Sequence, residues 1–165
     1  MGKLSLVGIG PGGPEEMTPR ARRAIDNADL IVGYTTYIEL LGDLAAGKDT
    51  FSTGMLGERE RALRAIEEAE KARKVAVVSG GDPGIYGLAG LVLELLSEEQ
   101  LQQLEVEVIP GITAACAAAA LLGAPLMNDF AALSLSDSAA IATLRSLVWM
   151  VVCRSSSVKF RIEEP

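Results

Sequence analysis

Histidine is absent from this 165-residue chain, and aromatic residues make up only 4% of it. The first absence removes the commonest general base, the commonest metal ligand and every Ser-His or Cys-His catalytic device. The second leaves no stacking platform for nucleic-acid bases. Two cysteines occur, Cys116 and Cys153, far apart and without metal-ligand spacing, so no metal site is assigned. Cys116 sits among alanines and reads as a small core residue. There is no basic run, and 22 acidic against 15 basic residues give a net charge of −7, which argues against nucleic acid as a partner. No window has the length of a membrane span, and Met1-Gly2-Lys3 leads straight into a strand-like run without a signal-peptide pattern. The expected location is the cytoplasm, with no membrane partner.

What is present is aliphatic. The 49% hydrophobic content is mostly Ala, Leu, Val and Ile, which suits helices packed on a sheet. The length is enough for one domain with a substantial core.

Leu4-Ser5-Leu6-Val7-Gly8-Ile9 reads as an apolar strand and Gly10-Pro11-Gly12-Gly13-Pro14 as a loop. Thr18 followed by Pro19 predicts an N-cap and a first helical position, with Ala21, Ala24 and Ile25 as the helix's inner face. A second strand is predicted over 29–33, then a loop and a short helix. A charged helix is predicted over 57–74, with Ala62, Leu63, Ile66 and Ala69 inside and Glu and Arg outside. Val75-Ala76-Val77-Val78 reads as a third, buried strand, followed by a loop and a helix to about Leu96. Glu105-Val106-Glu107-Val108-Ile109 alternates as a fourth strand. A mostly alanine helix over 114–122 implies something packed very closely on it, and 131–135 predicts a fifth strand. This alternation predicts an α/β fold: a mostly parallel five-stranded sheet with helices on both faces.

Three loops share one design. Gly8-Ile9-Gly10-Pro11-Gly12, Gly80-Gly81-Asp82-Pro83-Gly84 and Pro110-Gly111-Ile112-Thr113-Ala114 each leave a strand and combine Gly with Pro. In a parallel sheet all three lie on the carboxyl edge, where ligands bind. Small side chains there let backbone groups approach a ligand. Asp82 is the one carboxylate in these loops. It either hydrogen-bonds a ribose or a cationic group, or caps the following helix or an Asx-turn. Thr113 has the same two readings, and Tyr34 and Tyr37 either line a pocket or are ordinary loop tyrosines. Gly8, Gly10 and Gly13 match G-x-G-x-x-G, but Pro11 and Pro14 delay the helix to about Thr18, so its N-terminus cannot face a pyrophosphate. A nicotinamide-binding domain is therefore not expected.

On these residues the chain resembles the tetrapyrrole methylase family. The motifs are Val7-Gly8-Ile9-Gly10-Pro11-Gly12, Thr18 with Ala21, Ala28-Asp29-Leu30-Ile31-Val32-Gly33-Tyr34, Gly80-Gly81-Asp82-Pro83-Gly84-Ile85-Tyr86 and Val108-Ile109-Pro110-Gly111-Ile112-Thr113-Ala114. Gly33-Tyr34 with Tyr37, and Asn128-Asp129-Phe130 leading to Ser134-Leu135-Ser136-Asp137, resemble the precorrin-3B C(17)-methyltransferase subfamily of cobalamin biosynthesis. The resemblance implies S-adenosylmethionine as donor, a precorrin tetrapyrrole as acceptor, methylation of ring carbon 17 coupled to ring contraction, two α/β domains around a donor cleft, and a homodimer. Carried over by position, donor contacts are Pro11, Gly80, Gly81, Asp82, Ile85, Thr113 and Ala114, and substrate contacts are Gly10, Tyr34 and Tyr37. No catalytic base is assigned. A sulfonium donor and an electron-rich ring carbon need positioning and desolvation more than a nucleophilic side chain.

The family pattern stops after Asp137. The reading is an N-terminal α/β domain over 1–137, an atypical tail over 138–165 containing a strand-like run at 147–153, and a second domain largely absent. Two expectations follow: a methyltransferase, or a donor-binding or structural remnant without turnover.

Overall fold

Short apolar runs bounded by glycine and proline become the strands of a parallel sheet. The computed structural model describes residues 1–127 and 130, together with the backbone of Ala132–Ser134, Val151–Arg154 and Ser157–Phe160. The described chain divides into two units, Met1–Thr113 and Ala114–Pro165.

In the first unit the order is β1 (Lys3–Gly8), α1 (Pro19–Asp26), β2 (Leu30–Tyr34), α2 (Thr35–Leu41), β3 (Asp49–Thr53), α3 (Glu58–Glu70), β4 (Lys74–Ser79), α4 (Ala89–Leu95), α5 (Glu98–Gln103) and β5 (Glu105–Ile109). Spatially the strands run β3-β2-β4-β1-β5, and every pairing is parallel. β1 lies between β4 and β5, with Gly8 opposite Ser79 and Val7 opposite Ile109. The loops that follow these three neighbours therefore leave from one edge.

Alternation along the strands sends successive side chains to opposite faces. Leu4, Leu6, Leu30, Val32, Val75 and Val77 pack with Ala62, Ala65, Ile66 and Ala69 of α3 and with Ala89 and Val92 of α4. Val7, Ile31, Ala76, Val78 and Ile109 pack with Ala21 and Ile25 of α1 and with Leu41 of α2. Both faces are covered, as a parallel sheet requires. Each such Val, Leu or Ile contributes about 1.5–3 kcal/mol by burial. The predicted cap of α1 is present: Thr18 Oγ1 accepts from Ala21 N at 3.1 Å, with Pro19 at the first turn.

The five-stranded sheet differs in membership from the one expected. Its fifth strand is β3, whose residues Asp49-Thr50-Phe51-Ser52-Thr53 carry one large apolar side chain. An edge strand pairs on one side only and needs less apolar surface, so its sequence reads as a loop. The run expected as the fifth strand forms β6 (Ala132–Ser134) in the second unit. There β6 pairs in parallel with β7 (Val151–Arg154), and β7 pairs antiparallel with β8 (Ser157–Phe160). The unit begins with α6 (Ala114–Leu121).

Four side chains lie elsewhere than expected. Leu63 is exposed and Ala65 takes the inward position, because the inner stripe of α3 is offset by the burial of Arg61 and Glu68. Both charged residues were expected outside and are almost fully buried. Cys116 is exposed rather than a core residue, since only Ala118 and Ala119 of α6 are buried. The helix after β4 begins at Ala89 and breaks after Leu95, where Ser97 and Gln100 form a capping box that starts α5.

Glu68 tolerates burial because three cations surround it: Lys71 at 2.7 Å, Arg73 at 2.9 Å and Arg64 at 3.1 Å. Hydrogen bonds from Lys71 and Arg73 hold its carboxyl at about 2. Arg73 also pairs with Asp49, tying α3 to the start of β3.

Candidate functional site

The carboxyl edge of the sheet is a set of loops joined through backbone groups. Gly10 N donates to Gly81 O at 3.2 Å, and Gly81 N donates to Gly10 O at 2.8 Å. This reciprocal bridge joins the β1 loop to the β4 loop. It needs a left-handed backbone at both positions, φ +78° at Gly10 and +67° at Gly81, which only glycine adopts at little cost. A Cβ on Gly111 would stand 2.1 Å from Gly81 O, and one on Gly8 2.5 Å from the same oxygen. Three backbones thus meet at Gly81 with no room for a methyl group.

Asp82 completes the fastening. Its Oδ1 accepts from Gly84 N at 2.8 Å, the expected Asx-turn, and its Oδ2 accepts from Gly111 N at 3.1 Å in the β5 loop. Capping of α4 is not its role, since that helix begins at Ala89. On the return to α4, Ser79 Oγ accepts from Leu88 N at 3.2 Å and Pro83 O accepts from Ala89 N at 3.0 Å.

The neighbouring wall is aromatic. Tyr37 lies over Gly80, where a Cβ would stand 2.8 Å from the ring. Tyr34 meets Tyr37 edge to face, with centroids 5.5 Å apart and planes at 80°.

The structure therefore joins Gly10, Gly81, Asp82 and Gly111 in one hydrogen-bonded cluster with Gly8 packed against it, and sets Gly80, Tyr37 and Tyr34 beside one another. Pro11 and Ile85 are exposed on loops of the same edge. Thr113 closes the first unit and Ala114 opens α6 in the second. Asn128, Asp129, residues 135–150 and the Cys153 side chain lie outside the described residues. Sequence reasoning missed Gly8 and Gly111 as packing partners and Arg61 as a neighbour of Tyr34, at 6.0 Å from its ring centroid. The glycines stood in the motifs, but their mutual contact depends on strand order.

The chemistry of the edge can be tested against ligand classes. A phosphate ligand calls for free cations or a helix N-terminus. After β1 no helix N-terminus stands at the strand end, since α1 starts only at Pro19 after a short 3-10 turn, and Arg61 is turned into the β3–α3 loop. The edge offers close-packed backbone, one carboxylate whose two oxygens accept from Gly84 N and Gly111 N, and tyrosine rings. A cavity of about 480 Å³ lies elsewhere, lined by Lys3, Arg20, Lys74 and Glu107 toward the amino ends of β1 and β4. Burial would raise the Glu107 carboxyl, but hydrogen bonds from Arg20, Lys3 and Ser5 bring it down to about 2.

These features define the class: a parallel α/β unit with glycine-proline loops fastened along its carboxyl edge, the edge where such sheets bind ligands. The profile of the Tetrapyrrole (Corrin/Porphyrin) Methylases matches residues 3–158, and the chain belongs to that family. A probable cobalt-factor III C(17)-methyltransferase of Salmonella typhimurium is 52% identical over 134 residues, covering 81% of this chain and 55% of that protein. The crystal structure of the methyltransferase CobJ aligns with TM-score 0.76 at 38% identity, over 84% of this chain and 58% of that one. A uroporphyrin-III C-methyltransferase from Thermus thermophilus, solved with S-adenosylhomocysteine, aligns with TM-score 0.60 at 28% identity, over 79% and 56%. The chain thus spans just over half the length of these relatives.

Proposed function

We propose that this chain is the donor-binding part of an S-adenosylmethionine-dependent methyltransferase of cobalamin biosynthesis. Its acceptor is ring carbon 17 of precorrin-3B or of the cobalt-containing counterpart, with contraction of the macrocycle. The observation that carries the reading is the fastened edge Gly10–Gly81–Asp82–Gly111 in a chain 52% identical to a probable cobalt-factor III C(17)-methyltransferase.

The donor supplies a methyl group already activated by a sulfonium. This chain's residues then have binding and orienting tasks. Asp82 locks the β4 loop to the β5 loop and sets one negative charge at the edge, a complement for a cationic donor. Gly80, Gly81, Pro11, Ile85 and Thr113 supply small or backbone surface to the donor. Gly10, Tyr34 and Tyr37 face the acceptor in this assignment. Positioning of this kind accounts for large rate effects without a nucleophilic side chain.

A division near residue 137 belongs to the same proposal, although the family profile runs on to residue 158. So do a homodimeric assembly, which sedimentation velocity checks, and action in the cytoplasm. Among the described residues no helix is long and apolar enough to cross a membrane.

The second reading is donor binding by this chain without turnover. Isothermal titration with S-adenosylhomocysteine and a methyl-transfer assay on the corrin precursor separate the two. Binding with turnover supports the first reading, binding alone the second, and no heat of binding removes both.

A further inference from the structure

Arg61 lies near the start of α3 and is only 5% exposed. A buried guanidinium is costly unless its donors find acceptors. Nη1 donates to Thr53 Oγ1 at 2.6 Å, Gly54 O at 3.0 Å and Thr53 O at 3.3 Å, and Nη2 lies 3.3 Å from Glu58 Oε1. The β3–α3 loop is built around this group. A Cβ on Gly57 would stand 1.9 Å from Thr53 Oγ1, and Leu56 takes a left-handed φ of 67° while 93% exposed.

The other side of the guanidinium meets the aromatic wall. Arg61 Cζ is 6.0 Å from the Tyr34 centroid, Tyr34 stands edge to face against Tyr37, and Tyr37 covers Gly80. A continuous series of contacts runs from the β3–α3 loop to the glycine that opens the β4 loop.

The geometry points to Arg61 as a positioning residue: anchored by Thr53 and Gly54, it holds Tyr34 and Tyr37 in place and thereby sets the wall over Gly80. Its effect on ligand binding rests on the donor-site reading, whereas its effect on Tyr37 and Gly80 does not. Lysine would keep the charge but lose the planar fork that bonds the loop and faces the ring together.

The test compares nuclear magnetic resonance spectra of the full chain with those of Arg61→Met, Arg61→Lys and Tyr34→Leu, alongside titration with S-adenosylhomocysteine. Arg61→Met and Tyr34→Leu are each expected to move the Tyr37 ring and Gly80 amide resonances while the amides of Leu4 and Val77 stay in place. Each should weaken binding by about tenfold, the double variant no further than the weaker-binding single, and Arg61→Lys by an intermediate factor. Unmoved Tyr37 and Gly80 resonances in a folded Arg61→Met or Tyr34→Leu protein would overturn the inference, as would fully additive losses. Should Arg61→Met not fold, the Tyr37 and Gly80 resonances of Arg61→Lys decide, and unmoved resonances there overturn the inference. A parent chain that binds no S-adenosylhomocysteine removes the donor reading, and the Tyr37 and Gly80 resonances then decide the positioning role.

Discussion

Asp82 reaches across 29 sequence positions to accept a hydrogen bond from the Gly111 amide at 3.1 Å. The other carboxylate oxygen closes the turn at Gly84 at 2.8 Å, so one side chain both shapes its own loop and fastens it to the next. A carboxylate accepting two backbone N–H groups makes stronger bonds than a neutral acceptor.

Asp82→Asn keeps one acceptor oxygen and turns the other into a donor, leaving either Gly84 or Gly111 without a partner. Stability should fall by about 1–2 kcal/mol, read by urea denaturation, with a parallel loss of S-adenosylhomocysteine affinity. An unchanged denaturation midpoint would show that the fastening contributes nothing.

Gly111→Ala places a Cβ 2.1 Å from a backbone oxygen, and backbone cannot move aside as a flexible side chain can. The expected cost is at least about 1–3 kcal/mol, seen as a lower thermal midpoint. A neutral result would mean that the three loops separate freely.

Gly90 gives the opposite sign. It lies inside α4, is exposed, and a Cβ there meets nothing within 4 Å. Gly90→Ala should stabilise the protein by about 0.5–1 kcal/mol through helix propensity, without changing ligand affinity. The same thermal melt reads it.

Glu68 and Glu107 both titrate at about 2 in the folded chain against an ordinary 4.5. A lowered carboxyl stabilises the fold above its ordinary value, and that contribution is lost as pH falls from 4.5 toward about 2. The urea midpoint should therefore drop across this window. Glu68→Gln should lower stability near neutral pH and flatten the acid slope, so the two curves converge in acid. Parallel curves for the parent and the variant would contradict this.

The strands that pair on both sides were legible because full burial demands apolar runs: Leu4-Ser5-Leu6-Val7 and Val75-Ala76-Val77-Val78 announce themselves. β3 was not, since an edge strand with one partner tolerates Asp49, Ser52 and Thr53. Arg61 and Glu68 were misread for a related reason. Helical periodicity assigns charge to the solvent side, and only tertiary acceptors and counter-charges make a buried Arg or Glu affordable. Cys116 followed the opposite error, a small apolar neighbourhood mistaken for burial.

By itself the sequence determined a parallel α/β unit with glycine-proline loops on one edge, because strand burial and turn chemistry are local demands written in adjacent residues. Only the tertiary structure decided which loops touch. Inserting β4 between β1 and β2, and setting β1 against β5, brings Gly8, Gly10, Gly81 and Gly111 together and gives Asp82 a partner. Strand order is settled by hydrogen-bond pairing and the packing of both faces, and no single segment encodes it.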